Sequence, residues 1–278
     1  MTFAEAPYGT LVDTTIRVLT WNVWGRFGPW QERQAGLLHV LREAAPDVVL
    51  LQECWFDDTG ADQAALLGDE LGMHASFGGG ELLFETWGLG NAVLSRWPIG
   101  DVRLHQLPAL PPAQWGGIAQ RAVIDGPRRP ILVYDVALDW PPHGSAARQH
   151  ALRYLADLIA DDPVSATALL VVAGDFNAAP DSDEIRMLVG ARASVRPGFV
   201  LFDAWDAAVA GGSGATWSRA NPWAAASLLA DRRIDYIFTG WPRRGGVGSA
   251  TATWLAGTDP HDGVLPSDHY AVVAALRY

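Results

Sequence analysis

Three apolar runs of the chain end on groups able to hold a cation or orient a water molecule. VLTW runs into Asn22, VVLLQ into Glu53, and LLVVAG into Asp175 with Asn177 two residues on. A buried strand cannot carry an unpartnered carboxylate, because removing an ion from water costs several kcal/mol even after relaxation. These groups must therefore collect where strands end. Singly, each reads as a strand-ending turn or a capping residue; the repetition is what points to a site. In LPSDHYAVVAAL, Asp268 and His269 come immediately before an apolar strand, where a metal ligand and a titratable imidazole can sit side by side. In DRRIDYIF, Asp235 lies inside an apolar run and needs a partner. His269 is the natural one, since an acid on one ring nitrogen fixes the tautomer and raises basicity. Arg232 or Arg233 is the alternative.

The elements that must position these groups follow from periodicity. Short Val-, Ile- and Leu-rich runs predict strands over 16–23, 47–52, 91–95, 131–138, 169–173, 234–239 and 270–276. Most are apolar on both faces, as in a sheet buried between two layers. Helical spacing predicts helices from Gln31 to Ala45, ended by Pro46, and from Ser145, as N-cap, to Ala160. Segments 78–90, 107–117 and 210–230, rich in Gly, Pro, Trp and small polar residues, read as long loops that shape access to the site.

At 278 residues, 49% hydrophobic and 18% charged, the chain has globular composition, and one large α/β domain is expected. The expected division is a lead-in over 1–15 and a domain over 16–278. With 20 Lys+Arg against 31 Asp+Glu the net charge is −11, which disfavours indiscriminate coating of polyanions. Every basic residue is Arg, the better bidentate partner for phosphate, although a codon bias explains this more readily. The single cysteine, Cys54, excludes an internal disulfide and a multi-thiolate zinc site, and is expected to be a buried free thiol. No secretory signal or membrane-spanning run is recognisable, so a cytoplasmic protein is the expectation.

TWNVWG, LQE, GNAVLSRWPI, GDFNAAPDSDEI, RRIDYIF and PSDHYAV, in this order, resemble the endonuclease/exonuclease/phosphatase superfamily, whose relatives include DNase I, apurinic endonucleases, neutral sphingomyelinases and inositol-phosphate phosphatases. The resemblance spans nearly the whole chain. It implies a four-layered α/β sandwich of two packed, mostly antiparallel mixed sheets flanked by helices. It implies a phosphate-ester hydrolase with Glu53 as principal Mg²⁺ (or Mn²⁺) ligand, supported by Asn22 and Asp268. Asp175 and Asn177 would orient water and hold phosphate. His269, supported by Asp235, would act as general base or would stabilise the phosphoryl oxygens. The implied partner is a phosphate ester: a nucleic acid, a small molecule or a lipid headgroup. The oligomeric state is left open.

The pattern breaks at one place. Many members carry a His in a Thr-His-Leu motif where this chain, in VYDVALDW, has Ala137. His143, in the next loop, is the candidate replacement. Arg148 is a candidate substrate contact, either turned toward the site or paired with an acid on the surface. Trp217 and Trp223 are candidate walls for the substrate. A fold that kept its metal pocket as a binding module without turnover is the competing reading that Ala137 motivates.

Overall fold

The computed structural model describes residues 7–278 apart from 81, 112, 114 and 209–211. The chain forms β1 (Thr15–Asn22), α1 (Trp30–Ala44), β2 (Val48–Asp57), α2 (Gln63–Leu71), β3 (His74–Gly79), β4 (Trp87–Ser95), β5 (Ile99–Gln106) and β6 (Gly117–Ile124). It continues through β7 (Ile131–Leu138), α3 (Ser145–Ala160), β8 (Leu169–Asp175), α4 (Asp183–Leu188) and β9 (Phe202–Asp203). The last elements are α5 (Ala204–Ala207), α6 (Pro222–Ala225), β10 (Asp235–Thr239), β11 (Ala250–Ala256) and β12 (Ala271–Arg277).

Two six-stranded sheets result, ordered β11-β12-β1-β2-β4-β3 and β5-β6-β7-β8-β10-β9. Each contains one parallel pair, β1 with β2 and β7 with β8, and is otherwise antiparallel. Parallel neighbours need a long crossover, and α1 and α3 supply the two. Three apolar clusters fill the three gaps between four layers. One lies between the first sheet and α1 and α2, one between the sheets, and one between the second sheet and α3 and α4. The expected four-layered, mostly antiparallel mixed sandwich is the observed fold.

Strand alternation decides which residues meet between the sheets. In β1, Ile16 and Val18 face the inter-sheet core, while Leu19 and Trp21 face the helices. The same parity carries Asn22 inward at the strand's end. In β8, Leu169, Val171 and Ala173 face inward, so Asp175 does too; in β10, Ile237 does, and so does Asp235. The C-terminal ends of β1 and β8 and the N-terminal end of β10 thus deliver three polar groups to one end of one interior.

Several expectations are corrected. β2 does not stop at Glu53 but continues to Asp57 through a β-bulge, which sets Gln52 and Glu53 opposite Asn91. Segment 78–90 includes the end of β3 and the start of β4, so the connection between them is shorter than expected and runs from 80 to 86. Strands β3, β5, β6, β9 and β11 were absent from the periodicity. β5 and β11 are exposed sheet edges with little apolar alternation, and β6 is interrupted by the buried Gln120 and Arg121. Segment 210–230 holds the short helix α6, with residues 210 and 211 outside the described ones. Of the lead-in, residues 1–6 lie outside them too, and β1 begins at Thr15. Ser145 is the first helical residue rather than the cap, because its hydroxyl donates to the buried Glu184 (2.8 Å). Helix α1 ends one residue early, since Ala45 turns left-handed before Pro46 (φ 45°). Cys54 is buried and free, as expected.

One buried side chain ties the first layer to the functional end. Arg33 lies on the inward face of α1 with Leu37 and Leu41, and its guanidinium donates to the carbonyls of Val23, Trp24, Gly25, Phe27 and Pro266 at 2.7–3.3 Å. Five carbonyls of two loops thus share one donor group. Burial lowers its pKa to about 10, against the attraction of Asp268 and Glu53. Replacing it with an apolar isostere leaves those acceptors unpaired at roughly 1–3 kcal/mol each before water enters. We expect Arg33→Met to cost about 3 kcal/mol or more, a fall of about 6–12 °C in Tm for a chain of this size. Calorimetry of both proteins checks this, and a melt within about 1 °C of the parent contradicts it.

Candidate active site

The end of the inter-sheet core gathers Asn22, Glu53, Asp175, Asn177, Asp235, Asp268 and His269. The local chain explains each placement. Glu53 sits on the β2 bulge in left-handed backbone (φ 56°), which turns its carboxylate out of the strand's alternation. Its Oε1 accepts from Asn22 Nδ2 (2.9 Å), and the same amide donates to Asp175 Oδ2 (3.1 Å). Asn22 Oδ1 accepts from the Trp24 amide (3.0 Å). Asn22 is therefore a bridge between two carboxylates, with one oxygen lone pair already engaged.

The GDFN turn has a steric logic. A Cβ on Gly174 would lie 1.9 Å from the Val136 carbonyl oxygen, and the residue's φ is +143°, so only glycine lets β8 approach β7 here. Asp175 Oδ1 then accepts from the Asn177 amide (2.9 Å), and Asn177 Nδ2 donates to the Leu138 carbonyl (3.0 Å), joining the ends of β8 and β7.

His269 stands between two acids. Its Nδ1 is 2.9 Å from Asp235 Oδ2 and its Nε2 is 3.9 Å from Asp175 Oδ2. Of the two alternative partners for Asp235, Arg233 pairs with Asp203 and Asp206, and Arg232 lies in the field of Asp175 without an ion pair to Asp235. The Trp21 indole donates to the His269 carbonyl (2.9 Å), and Ser267 Oγ donates to the Asn22 carbonyl (2.6 Å), locking the PSDH turn onto β1. The Trp217 ring meets the imidazole edge-on at 4.9 Å.

Electrostatics explains what the cluster lacks. Burial, above all, raises the pKa of Asp175 and of Asp268 to about 7, with Asp235 repelling the first and Glu53 the second. Glu53 is raised for the same reasons. Burial opposes charge on His269, but Asp235, Asp268 and Asp175 together outweigh it and hold the ring's pKa well above its ordinary value. The His269 imidazolium and the Arg33 guanidinium, which acts on Asp268 and Glu53, are two positive charges against four carboxylates, and Asp235 Oδ1 is buried with no hydrogen-bond partner. Hard oxygen donors with a surplus of negative charge fit a divalent cation such as Mg²⁺. Ligand atoms of Asp175, Asp235 and His269 all lie within 4.8 Å of one another. Glu53 and Asp268 couple to the same field.

Other expected residues are placed differently. Arg148 does pair with an acid, but a buried one. Its Nε donates to Glu184 Oε1 (2.9 Å), and its Nη1 donates to the carbonyls of Asp139 and Pro141. That bracing of the turn before α3 occupies the guanidinium. His143 is exposed on that turn with no hydrogen bond to the cluster among the described residues. Ala137 is the register partner of Asp175 on β7, so the missing side chain would have stood beside the acid. Trp223 packs on Trp24 at 5.6 Å, over the loop that follows Asn22.

Two further residues carry a signal in the sequence. Arg33 interrupts the apolar stripe of α1. Asp135 stands mid-strand in VYDVAL, fully buried, and accepts from Gln52 Nε2 (2.6 Å), which also donates to Thr20 Oγ1 (3.0 Å). Burial raises the Asp135 pKa well above the carboxylate range. Thr216, whose Oγ1 accepts the amides of Ile234 and Asp235, had none.

Two six-stranded mixed sheets closing on an acidic, histidine-bearing end define the DNase I-like class of α/β sandwich. The profile of the Endonuclease/Exonuclease/phosphatase family matches residues 19–269, and the chain belongs to that family. Truncated Caenorhabditis elegans TDP2 superposes with a TM-score of 0.72 at 18% identity, over 96% of this chain and 100% of that one. D. rerio TDP2 complexed with a single-strand DNA product gives 0.75 at 20% identity, over 96% and 100%. The endonuclease/exonuclease/phosphatase from Beutenbergia cavernae DSM 12333 gives 0.73 at 25% identity, over 95% and 71%. No curated protein matches the sequence. Membership supports a hydrolase of the phosphodiesterase or nuclease type, in a family that uses divalent metals. No helix of the described residues is long and apolar enough to cross a membrane.

The raised pKa values carry a signed expectation. Asp175, Asp268 and His269 favour the folded state while protonated, so without a divalent ion their contribution is lost as pH rises toward and past about 7. A cation binding the carboxylates reverses that loss and competes with protons. In melts with EDTA or with about 10 mM Mg²⁺, the Tm increment from Mg²⁺ should be larger at pH about 8 than at about 5.5. An increment equal at both, or larger in acid, contradicts the assignment.

Proposed function

We propose that the protein is a Mg²⁺-dependent phosphodiesterase. The observation that carries this reading is the imidazole of His269 clamped by Asp235 at Nδ1 with Nε2 toward Asp175, in one cluster with Glu53, Asp268 and the Asn22 bridge. Glu53 and Asp268, with Asp175 close by, would hold the cation, which supplies charge neutralisation for the phosphoryl group. Asn177 and Asp175 position the water that attacks phosphorus in line with the leaving oxygen, and a carboxylate with a pKa near 7, as Asp175 has, suits the proton that water gives up. His269, kept protonated by its three acids, faces the charge that accumulates on the non-bridging oxygens. Trp217 forms a wall beside it.

Ala137 has no proton to give the leaving oxygen. This favours substrates whose leaving group departs without a general acid, and we do not assign that task to His143. D. rerio TDP2 in complex with single-strand DNA makes a nucleic-acid diester one candidate substrate. A small or lipid-derived diester is the other. Arg26 is paired with Asp57, Arg148 with Glu184 and Arg219 with Asp231, whereas Arg232, in the field of Asp175, has no ion pair among the described residues and is available to a phosphate of either.

Hydrolysis of bis(p-nitrophenyl) phosphate tests the proposal, because its leaving group hardly needs an acid. Turnover should require Mg²⁺ or Mn²⁺ and stop with EDTA. His269→Ala should lower kcat by about 10²–10⁴-fold, and Asp235→Asn by roughly a hundredfold. No metal-dependent turnover, or an unaffected His269→Ala enzyme, would move the weight to a binding module.

A further inference from the structure

Two donors at the edge of the acidic cluster have nothing to bind. Trp217 and Arg232 form an isolated antiparallel bridge between the segment before α6 and the chain entering β10, each amide donating to the other's carbonyl (2.9 and 2.8 Å). Residues opposed in this way carry their side chains on one face. The Trp217 ring is the one that meets His269, so Arg232 stands on the flank of the same cluster. Burial, above all, lowers the Arg232 pKa, while Asp175 attracts the guanidinium and Arg148 repels it. Trp217 Nε1 and Arg232 Nε are both buried, and neither has a hydrogen-bond partner among the described residues.

Donors shut off from water are nearly always paired in folded proteins. The acids around Arg232 are committed elsewhere. Asp175 Oδ2 accepts from Asn22 and its Oδ1 from the Asn177 amide. Asp231 takes Arg219, while Asp203 and Asp206 take Arg233. Arg148, the other charge acting on Arg232, braces the turn after β7 through the carbonyls of Asp139 and Pro141. Arg232 therefore belongs to the flank where the second sheet's β7 and β8 end, beside Ala137, which offers no polar group. On the first sheet's flank Arg33 acts on Asp268 and Glu53, but five carbonyls occupy it. The type of donor selects the ligand. An indole N–H and a guanidinium have no acceptor function, so their partner must be an acceptor, and the guanidinium fork matches the paired oxygens of an oxyanion.

We propose that Arg232, with the Trp217 indole beside it, is an anion subsite that holds a non-bridging phosphoryl oxygen of the substrate on the second sheet's flank of the acidic cluster. That the anion is a substrate's phosphoryl group rests on the phosphodiesterase reading; the anion site does not. Inorganic phosphate is the probe, titrated calorimetrically into the full chain in the presence of Mg²⁺. Its affinity should fall at least about tenfold in Arg232→Gln, which removes a charged donor, and about threefold in Trp217→Phe, which removes a neutral one and keeps the ring. Arg232→Lys, which keeps the charge without the fork and tests the site even if the Gln variant folds poorly, should lie between parent and Gln. In hydrolysis of bis(p-nitrophenyl) phosphate, Arg232→Gln should raise KM about tenfold and leave kcat within about threefold, the pattern of a group that binds ground and transition state alike. The subsite is overturned if the parent does not bind phosphate, or if Arg232→Gln or Trp217→Phe binds it as tightly as the parent. A Lys variant no tighter than Gln, or a fall in kcat at unchanged KM, overturns it as well. Phosphate binding that depends on Arg232 without hydrolysis of the ester removes the phosphodiesterase reading and leaves the subsite intact.

Discussion

Asp175 and Asp235 are register partners on adjacent antiparallel strands, so the pairing of β8 with β10 itself forces two carboxylates together at the dry end of the inter-sheet core. Two unit charges about 4 Å apart repel by roughly 4 kcal/mol at the effective dielectric of a partly buried site. Much of the surrounding structure answers that repulsion. The imidazole of His269 is wedged between the pair, the Asn22 amide binds Asp175 from the other sheet, and the Asn177 amide takes its remaining oxygen. Each of these groups is fixed in turn by something that is not chemistry: Trp21 and Ser267 hold the PSDH turn, Gly174 admits β8 against β7, and Arg33 gathers the loops after Asn22 and before Ser267.

The same interior contains a second polar layer one step deeper. Gln52, Thr20, Asn91 and Asp135 link the two sheets behind the site, with Asn91 Nδ2 donating to the Asp135 carbonyl (2.9 Å). Burial pushes the Asp135 carboxyl up, toward the protonated form, which can donate as well as accept. The apolar slab between the sheets is thus graded toward the acidic end, from Ile16 and Leu276 through Gln52 and Asp135 to the acids. Such a gradient fixes the register of one sheet on the other, because an apolar side chain opposite Asp135 would leave it without a partner.

Much of this was legible in the sequence, for a physical reason. A polar group at the edge of an apolar run has few places to go, which is why the sequence itself gathers Asn22, Glu53, Asp175, Asp235, Asp268 and His269. The apolar period gave the central strands and both crossover helices. The edge strands β5 and β11 escaped because an exposed edge needs no alternation. The bulge at Glu53 escaped because nothing in the residue type announces left-handed backbone. Arg148 misled because an arginine at a helix start near a site looks the same whether it faces substrate or a buried Glu184 on a helix far along the chain. Asp135 and Arg33 obeyed the rule that revealed the site, a charged group in an apolar pattern, and were there to be read.

In the proposed function, Glu53 and Asp268 hold a divalent cation beside the repelling pair. Electron paramagnetic resonance of Mn²⁺ titrated into the protein measures this most directly, since free and bound ion give distinct signals. Mn²⁺ should bind the parent, and its affinity should fall at least about tenfold in Glu53→Gln and again in Asp268→Asn, because each change removes one charged oxygen donor. Equal Mn²⁺ affinity in the parent and both variants would contradict it.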